Sequence, residues 1–311
     1  MLARTADSLF WLGRYTERAA NTARGLGATL RMAALAAPRG EEAAEWSRLL
    51  GSTGSAAHYE SLYGDATPAQ AERWLTVDPL NPSSIASCFE VARRNARAVR
   101  TALTVDMWEA VNDTWMDLRK MDPGDAGADR LAGFLDWVRA RTVLFNGAAT
   151  DTMLRDDAWR FVRLGTMLER ADNTARLLSA RADALRSGAA DDAANHAQWQ
   201  ATLRAVSALR AYQHLFRQRL RPERVLELLL ARPEFPRSTR ACYGEICAIL
   251  EGLAAAEGRT AARRAADELR DRCGPRVAEG LGPDGLPNLF AGLVAGNAAL
   301  GNSLAEAFLN G

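Results

Sequence analysis

The sequence predicts an all-α fold, and three observations support this prediction. Isoleucine occurs at only three positions, whereas alanine, leucine, arginine and glutamate, which favour helices over strands, are abundant. Apolar residues recur at helical spacing near the start of the chain, at Leu9, Leu12, Ala19, Ala23, Leu26 and Leu30. Clusters of glycine, proline and serine divide the rest of the chain into long segments of similar composition.

Seven segments between these clusters are predicted to be helices. The first contains the apolar stripe, the second carries arginines at helical spacing, and the third follows a break rich in glycine and aspartate. The fourth begins in a group of acidic residues, which favour the positive end of a helix dipole, and the last three lie between further breaks. The predicted helices are 3–36, 83–120, 128–147, 150–186, 193–220, 237–257 and 259–273, and the breaks are 37–40, 51–54, 64–68, 77–83, 121–127, 187–192, 232–238, 274–275 and 281–287.

The composition predicts a single domain over 1–311. A chain of 311 residues with 48% hydrophobic residues buries a sizeable core without disulfides or a structural metal. Its 39 basic and 38 acidic residues nearly cancel, which argues against a nucleic-acid or membrane binder that acts through its overall charge. With no secretory leader and no apolar run of about 18 residues, a cytoplasmic location with reduced cysteines is expected.

An internal repeat indicates a duplicated helical unit. The stretch LGRYTERAANTAR, Leu12–Arg24, returns as LGTMLERADNTAR, Leu164–Arg176, with nine of thirteen positions identical. Tryptophan, tyrosine, proline and cysteine residues then follow both copies in the same order, at offsets of 153 or 154 residues. We therefore predict a helical bundle built from two duplicated halves, about 1–145 and 150–311, with pseudo-twofold symmetry.

The repeated helix carries a polar face that is the first candidate site. The first copy offers Arg14, Glu17, Arg18 and Asn21, and the second offers Glu169, Arg170, Asp172 and Asn173. Residues next to each other in sequence point about 100° apart on a helix, so the acid and the arginine of each Glu-Arg pair need partners on other helices. A pseudo-twofold axis predicts Glu17 opposite Arg170 and Glu169 opposite Arg18.

Three interpretations of this polar face stay open. The first is structural, in which the network fixes the register of the helices, although buried ion pairs are weak evidence for stability. The second is a groove in which arginine forks bind a peptide carboxylate or an acyl phosphate. In the third, the protein is an enzyme in which Glu17 or Glu169 acts as a general base on a substrate held by the arginines.

A second candidate group lies in EVARRNARAVR and DMWEAVN, and comprises Arg93, Asn95, Arg97, Arg100, Trp108, Glu109 and Asn112. Its three arginines are spaced by four and three residues and share one helix face, and the two amides can orient a peptide backbone. A solvated helix face with a core tryptophan is the alternative interpretation.

The sequence contains no familiar enzyme or metal motif. Four cysteines occur without a Cys-x-x-Cys pair, and three histidines are far apart, so no metal site is expected. The motifs HExxH, GxSxG, Walker A and GxGxxG are also missing from the sequence, and no directly bound cofactor is expected.

The segments SLFWLGRYTERAANTAR and DTMLRDDAWRFVRLGTMLERADNTARLL, with NAR and WEAVN between them, resemble the Alpha-E family of bacterial all-helical proteins. The resemblance covers nearly the whole chain. The family often places an acid after Glu-Arg-Ala in the first copy, whereas this chain has Ala20 there and keeps the acid only in the second copy, as Asp172.

This resemblance implies a cellular context. Such proteins are typically encoded beside circularly permuted ATP-grasp ligases and transglutaminase-like peptidases, which implies a role in an amide- or peptide-forming modification system. ATP-grasp enzymes activate a carboxylate as an acyl phosphate, which an amine then attacks. The expected partners are therefore the ligase, the peptidase and a peptide or amino-acid substrate, with ATP used by the ligase.

Overall fold

Helix α1, Ala3–Ala33, is the central element of the computed structural model and contacts helices from both parts of the sequence. The structure describes residues 1–33, 41–121, 128–182, 193–253, 259–274 and 285–310. Every regular element in these ranges is helical, so the predicted all-α fold class is confirmed.

The helices are numbered here in chain order. They are α1 (Ala3–Ala33), α2 (Glu41–Ser52), α3 (Ala56–Tyr63), α4 (Pro68–Thr76), α5 (Ile85–Ala98), α6 (Val105–Leu118), α7 (Ala128–Asp151), α8 (Asp157–Ser179), α9 (Ala193–Ala205), α10 (Leu209–Phe216), α11 (Pro222–Leu226), α12 (Thr239–Gly252), α13 (Arg259–Arg272) and α14 (Leu286–Leu304). A 3-10 turn occupies Arg100–Ala102, and π-helical turns follow α11 and α14.

Helices α1 and α8 pack against each other at the centre, and the other long helices surround them. Helices α5, α7 and α9 lie against α1, whereas α12 and α14 lie against α8. The predicted apolar stripe of α1 supplies the core, since Leu9, Leu12 and Leu26 are fully buried. A larger apolar cluster surrounds α8, and a smaller one surrounds Trp46 and Trp74.

Two glycines allow α1 and α8 to approach closely. A Cβ atom at Gly13 would lie closer than 3.0 Å to the carbonyl oxygen of Val162 on α8. A Cβ atom at Gly165 would likewise lie closer than 3.0 Å to the carbonyl oxygen of Phe10 on α1. The two backbones therefore touch at this crossing, and only glycine fits at both positions. The crossing brings the polar residues one turn further along each helix within reach of the opposite helix.

Several element boundaries differ from the prediction. The single helix predicted over 83–120 is wrong, because α5 ends at Ala98 and a new helix begins at Val105, where the Thr104 side chain accepts a hydrogen bond from the Met107 amide. The helix predicted over 193–220 is also two helices, since Ser207 adopts a left-handed conformation with φ 57°.

The fourth predicted helix begins later than expected. The Asp156 carboxylate accepts hydrogen bonds from the amides of Ala158 and Trp159, so it caps α8 at Asp157 rather than lying inside a helix from 150. Five helices of the described ranges were not predicted at all, namely α2, α3, α4, α11 and α14. The predicted breaks at 37–40 and 187–192, and most of those at 121–127 and 281–287, lie outside the described residues.

Within the described ranges, none of the helices combines the length and apolar character that crossing a membrane requires. The four cysteines are free thiols, and all of them are buried.

Candidate functional site

The crossing of α1 and α8 brings the two Glu-Arg pairs together. Glu17 and Glu169 are both buried, with side chains 1% and 8% exposed, and each faces the arginine of the opposite helix. The predicted cross-pairing of Glu17 with Arg170 and of Glu169 with Arg18 matches the observed ion pairs.

At one end of the crossing, Glu169 binds two arginines of α1. Arg18 donates from Nε to Oε1 at 2.6 Å and from Nη2 to Oε2 at 2.9 Å, which is a bidentate pair. Arg14 donates from Nε to Oε2 at 2.8 Å. The guanidinium of Arg18 also reaches the hydroxyl of Ser83, before α5, at 3.3 Å. Three charge-assisted hydrogen bonds therefore hold the Glu169 carboxylate.

At the other end, Glu17 binds one arginine of α8 and one from the loop before α12. Arg170 donates from Nε and Nη2 to the two carboxylate oxygens at 3.3 and 3.0 Å. Arg237 donates from Nη1 to Oε1 of Glu17 at 2.7 Å and to Oδ1 of Asn21 at 3.1 Å. Each glutamate therefore binds two guanidiniums. At the Glu169 end both belong to α1, whereas at the Glu17 end one belongs to α8 and the other to the loop before α12.

The crossing carries an excess of positive charge. Four guanidiniums, with side chains between 12% and 24% exposed, face two carboxylates. Burial raises the pKa of Glu17, but Arg170 and Arg237 outweigh this effect and hold it well below its usual value. Burial also raises the pKa of Glu169, and Arg18 and Arg14 outweigh it, lowering the pKa to about 2. Both glutamates are therefore ionised at neutral pH, and they are weak proton acceptors.

A protein-family model matches nearly the whole sequence. The model of the Alpha-E family, described as a predicted alpha-helical domain with a conserved ER motif, matches residues 1–309. The chain belongs to the Alpha-E family. It contains the Glu-Arg dipeptide at 17–18, 72–73, 169–170 and 223–224, and the first and third of these meet at the α1–α8 crossing.

Curated relatives of this Alpha-E chain include uncharacterized proteins of Mycobacterium bovis and of two strains of Mycobacterium tuberculosis. Each is 29% identical over 327 residues, a match that covers 94% of this chain and 35% of the relative. The chain thus spans about a third of the length of the curated relatives it matches. No solved structure matches the chain.

The acid of the second copy has a local partner. Asp172 accepts a hydrogen bond from Nε of Arg176, one turn later on α8, at 2.7 Å, and its other oxygen lies 3.5 Å from Nδ2 of Asn297 on α14. The equivalent position in α1 is the buried Ala20. Asn173, the counterpart of Asn21, is half-buried on α8.

The second candidate group lies on α5, on α6 and in the 3-10 turn between them, apart from the ion-pair network. The prediction that its three arginines share one helix face is wrong, because α5 ends at Ala98, before Arg100. Arg93 donates to Oδ1 of Asn112 at 3.0 Å, whereas Asn95 donates to the Val91 carbonyl of its own helix. The guanidinium of Arg100 lies over the ring of the half-buried Trp108, 4.9 Å from its centroid. Arg97 and Glu109 are exposed. In the described part of the chain, no hydrogen bond or ion pair joins this group to Glu17 or Glu169.

Sequence reasoning missed two arginines at the crossing. Arg237 stands directly before Ser238, whose side chain caps α12, and Ser83 stands in the same place before the cap of α5. Aligning the two capping serines shows that Arg237 and Ser83 occupy equivalent positions. The alignment does not show that Arg237 contacts α1. Arg24 ends the first copy of the repeat, and its electrostatic neighbours include Arg237, Glu17 and Arg170.

We predict that acid removes much of the stability that the network contributes to the fold. A carboxylate whose pKa is lower in the folded than in the unfolded protein stabilises the fold above its unfolded pKa, and this contribution disappears as the pH falls toward the folded pKa. For Glu169, with a folded pKa of about 2 against 4.5 unfolded, the loss between pH 7 and pH 3 is about 2 kcal/mol. Urea titrations of the wild type and of Glu169→Gln at several pH values measure how far the free energy of unfolding of each protein falls between pH 7 and pH 3. The difference between the two falls is the contribution of Glu169, and equal falls would contradict the prediction.

Proposed function

We propose that this Alpha-E protein is a helical partner of an ATP-grasp-type ligase in an amide- or peptide-forming modification system, and that the α1–α8 crossing binds a peptide or activated carboxylate. The observation that carries the proposal is the excess of guanidinium over carboxylate at the crossing. Guanidinium forks match the geometry of carboxylate and phosphate groups.

The ligase partnership is supported by the sequence chemistry and by the family context. The sequence carries no Walker A or other glycine-rich phosphate loop, so the partner would supply ATP and form the acyl phosphate. This Alpha-E protein would hold the acidic group of the substrate or intermediate, and a transglutaminase-like peptidase would act in the same system. We place this system in the cytoplasm, where the four free thiols would stay reduced.

We further propose that the chain is one domain made of two duplicated halves, about 1–145 and 150–311, related by a pseudo-twofold axis. Reciprocal ion pairs at the crossing support this proposal, as do the matching serine caps of α5 and α12. Residues at equivalent positions are also buried alike, as in Trp46 with Trp199 and Cys88 with Cys242.

The alternative of general-base catalysis has less physical support. Glu17 and Glu169 each accept three hydrogen bonds from arginine, and their lowered pKa values make them poor bases at neutral pH. A purely structural role is the stronger alternative, because the same contacts fix the register of α1 and α8.

A reconstitution experiment separates the binding role from the structural one. Purified protein and an ATP-grasp ligase encoded beside it are mixed, and co-elution and product formation are measured. Arg237→Gln, which leaves both hydrogen bonds from Arg170 to Glu17 in place, is expected to keep the fold and co-elution while lowering product formation by about tenfold. Arg4→Gln, on the exposed start of α1, is the matched control and should leave product formation unchanged.

Two outcomes would contradict the proposal. If the wild-type protein neither co-elutes with the ligase nor changes product formation, the partnership is wrong. If Arg237→Gln lowers the melting temperature but leaves product formation unchanged, the crossing is structural.

A further inference from the structure

The two ends of the α1–α8 crossing differ in how completely their donors are paired. At the Glu17 end, Nδ2 of Asn21 and Nη1 of Arg24 are buried without a hydrogen-bond partner among the described residues. Asn21 is only 6% exposed. At the Glu169 end, no side-chain nitrogen of the described residues is left buried and unpaired in this way. The other buried donors without a partner among the described residues are the indole nitrogens of four tryptophans. Asn21 and Arg24 differ from them in lying one turn apart beside a charged network, where one acceptor from outside the chain would pair both.

The repeat explains why Arg24 lacks a partner. In α8, the equivalent Arg176 binds Asp172 one turn earlier, at 2.7 Å. In α1, the residue one turn before Arg24 is Ala20, so the same geometry offers Arg24 no carboxylate. Within the described ranges Arg24 forms no ion pair. The first half therefore keeps the guanidinium of this helical pair without the acid.

The charge around Arg24 is strongly positive. Arg170, Arg237 and Arg139 all act on it electrostatically, and Glu17 is the carboxylate that opposes them. Arg139 is itself paired with Asp136, so it adds little net charge. Burial lowers the pKa of Arg24 to about 9, and repulsion by Arg237 adds to this effect. A negative ligand would relieve this repulsion.

A groove of about 270 Å³ between α1 and α7 lies next to this group. It is lined by Ala23 and Gly27, which flank Arg24 on α1, and by Asp136 and Arg139 of α7. Arg139 of this lining acts electrostatically on Arg24, so the groove borders the Glu17 end of the crossing.

We propose that Asn21, Arg24 and Arg237 form a binding site for a single oxyanion group, a carboxylate or a phosphate, at the Glu17 end of the crossing. The unpaired Asn21 amide and Arg24 guanidinium donate to its oxygens, and Arg237 contributes charge while holding Asn21 in place through Oδ1. This inference rests on the proposed function in taking the crossing as the ligand site, and it assigns the ligand to one of the two ends.

Titration calorimetry on the full chain tests this site without any ligase. Inorganic phosphate and acetate are titrated separately, with sodium chloride at equal ionic strength as the reference. Saturable binding of phosphate or acetate beyond chloride is expected, and the tighter of the two identifies the ligand as a phosphate or a carboxylate. If neither anion binds more tightly than chloride, the inference is overturned, whereas the ligase partnership is tested separately by co-elution.

Two variants locate the binding. Arg24→Gln removes the unpaired guanidinium, and Ala20→Asp rebuilds in α1 the acid that pairs with Arg176 in α8. Each is expected to weaken anion binding by at least about tenfold, and Arg24→Gln should do so without lowering the melting temperature, because it removes no existing ion pair. Arg4→Gln, on the exposed start of the same helix, should bind as the wild type does.

The melting temperature of Arg24→Gln distinguishes a binding role of Arg24 from a structural one. A purely structural Arg24 would lower the melting temperature when replaced and leave anion binding unchanged, which would overturn the inference. Should Arg24→Gln fail to fold, Ala20→Asp and the wild-type titration still decide, since the inference requires binding in the wild type and its loss in that variant.

Discussion

Replacing Gly165 with alanine is expected to destabilise the protein by about 3 kcal/mol, although alanine is the better helix former. The new Cβ atom would lie closer than 3.0 Å to the Phe10 carbonyl oxygen of α1. Backbone atoms cannot move aside as a flexible side chain can, so α1 and α8 must separate. Separation lengthens the hydrogen bonds from Arg18 and Arg170 to the glutamates, and the variant loses packing and ion pairing together.

Gly133→Ala is the matched control for this prediction. Gly133 lies inside α7, and a Cβ atom added there would meet no other atom within 4 Å. This variant should therefore gain about 0.5–1 kcal/mol from the higher helix propensity of alanine. Urea titrations of both variants measure these opposite changes in the free energy of unfolding. A stable Gly165→Ala protein would show that the two backbones do not touch at the crossing.

The sequence alone was sufficient to predict the central pairing of this fold. Neighbouring residues of a helix point in different directions, so two copies of a Glu-Arg dipeptide on two helices imply reciprocal pairs if the copies face each other. The observed bonds from Arg18 to Glu169 and from Arg170 to Glu17 follow that logic. The same repeat gave no indication of where α1 and α8 cross, although Gly13 and Gly165 occupy equivalent places in it.

The unpredicted parts share a physical cause. Arg237 is one of many arginines in the chain, and its local sequence does not record that it bonds to Glu17, 220 residues away. The two breaks missed inside predicted helices, at Thr104 and Ser207, carry neither glycine nor proline. A threonine cap and a left-handed serine interrupt a helix through backbone geometry, which composition describes poorly. The sequence likewise does not record that Arg24 has a buried nitrogen without a hydrogen-bond partner, because this depends on how the helices pack around it.

Replacing Glu17 with glutamine is expected to cost about 3–5 kcal/mol, because it removes the carboxylate that neutralises Arg170 and Arg237. Both arginines are 12% exposed, so solvent compensates little for the lost charge. Arg24 lies in the same field and adds to the repulsion. Urea or thermal unfolding measures the loss of stability.

The control for Glu17 is Glu245→Gln on α12, which breaks a single ion pair with Arg163. The Glu245 side chain is 33% exposed, and pairs of this kind contribute about 1 kcal/mol or less. The prediction fails if the two glutamine variants lose similar stability.

Added phosphate provides a further check, because an anion at the Glu17 end can neutralise part of the charge that Glu17 no longer balances. Phosphate should therefore stabilise Glu17→Gln more than it stabilises Glu245→Gln when both are compared with sodium chloride at equal ionic strength.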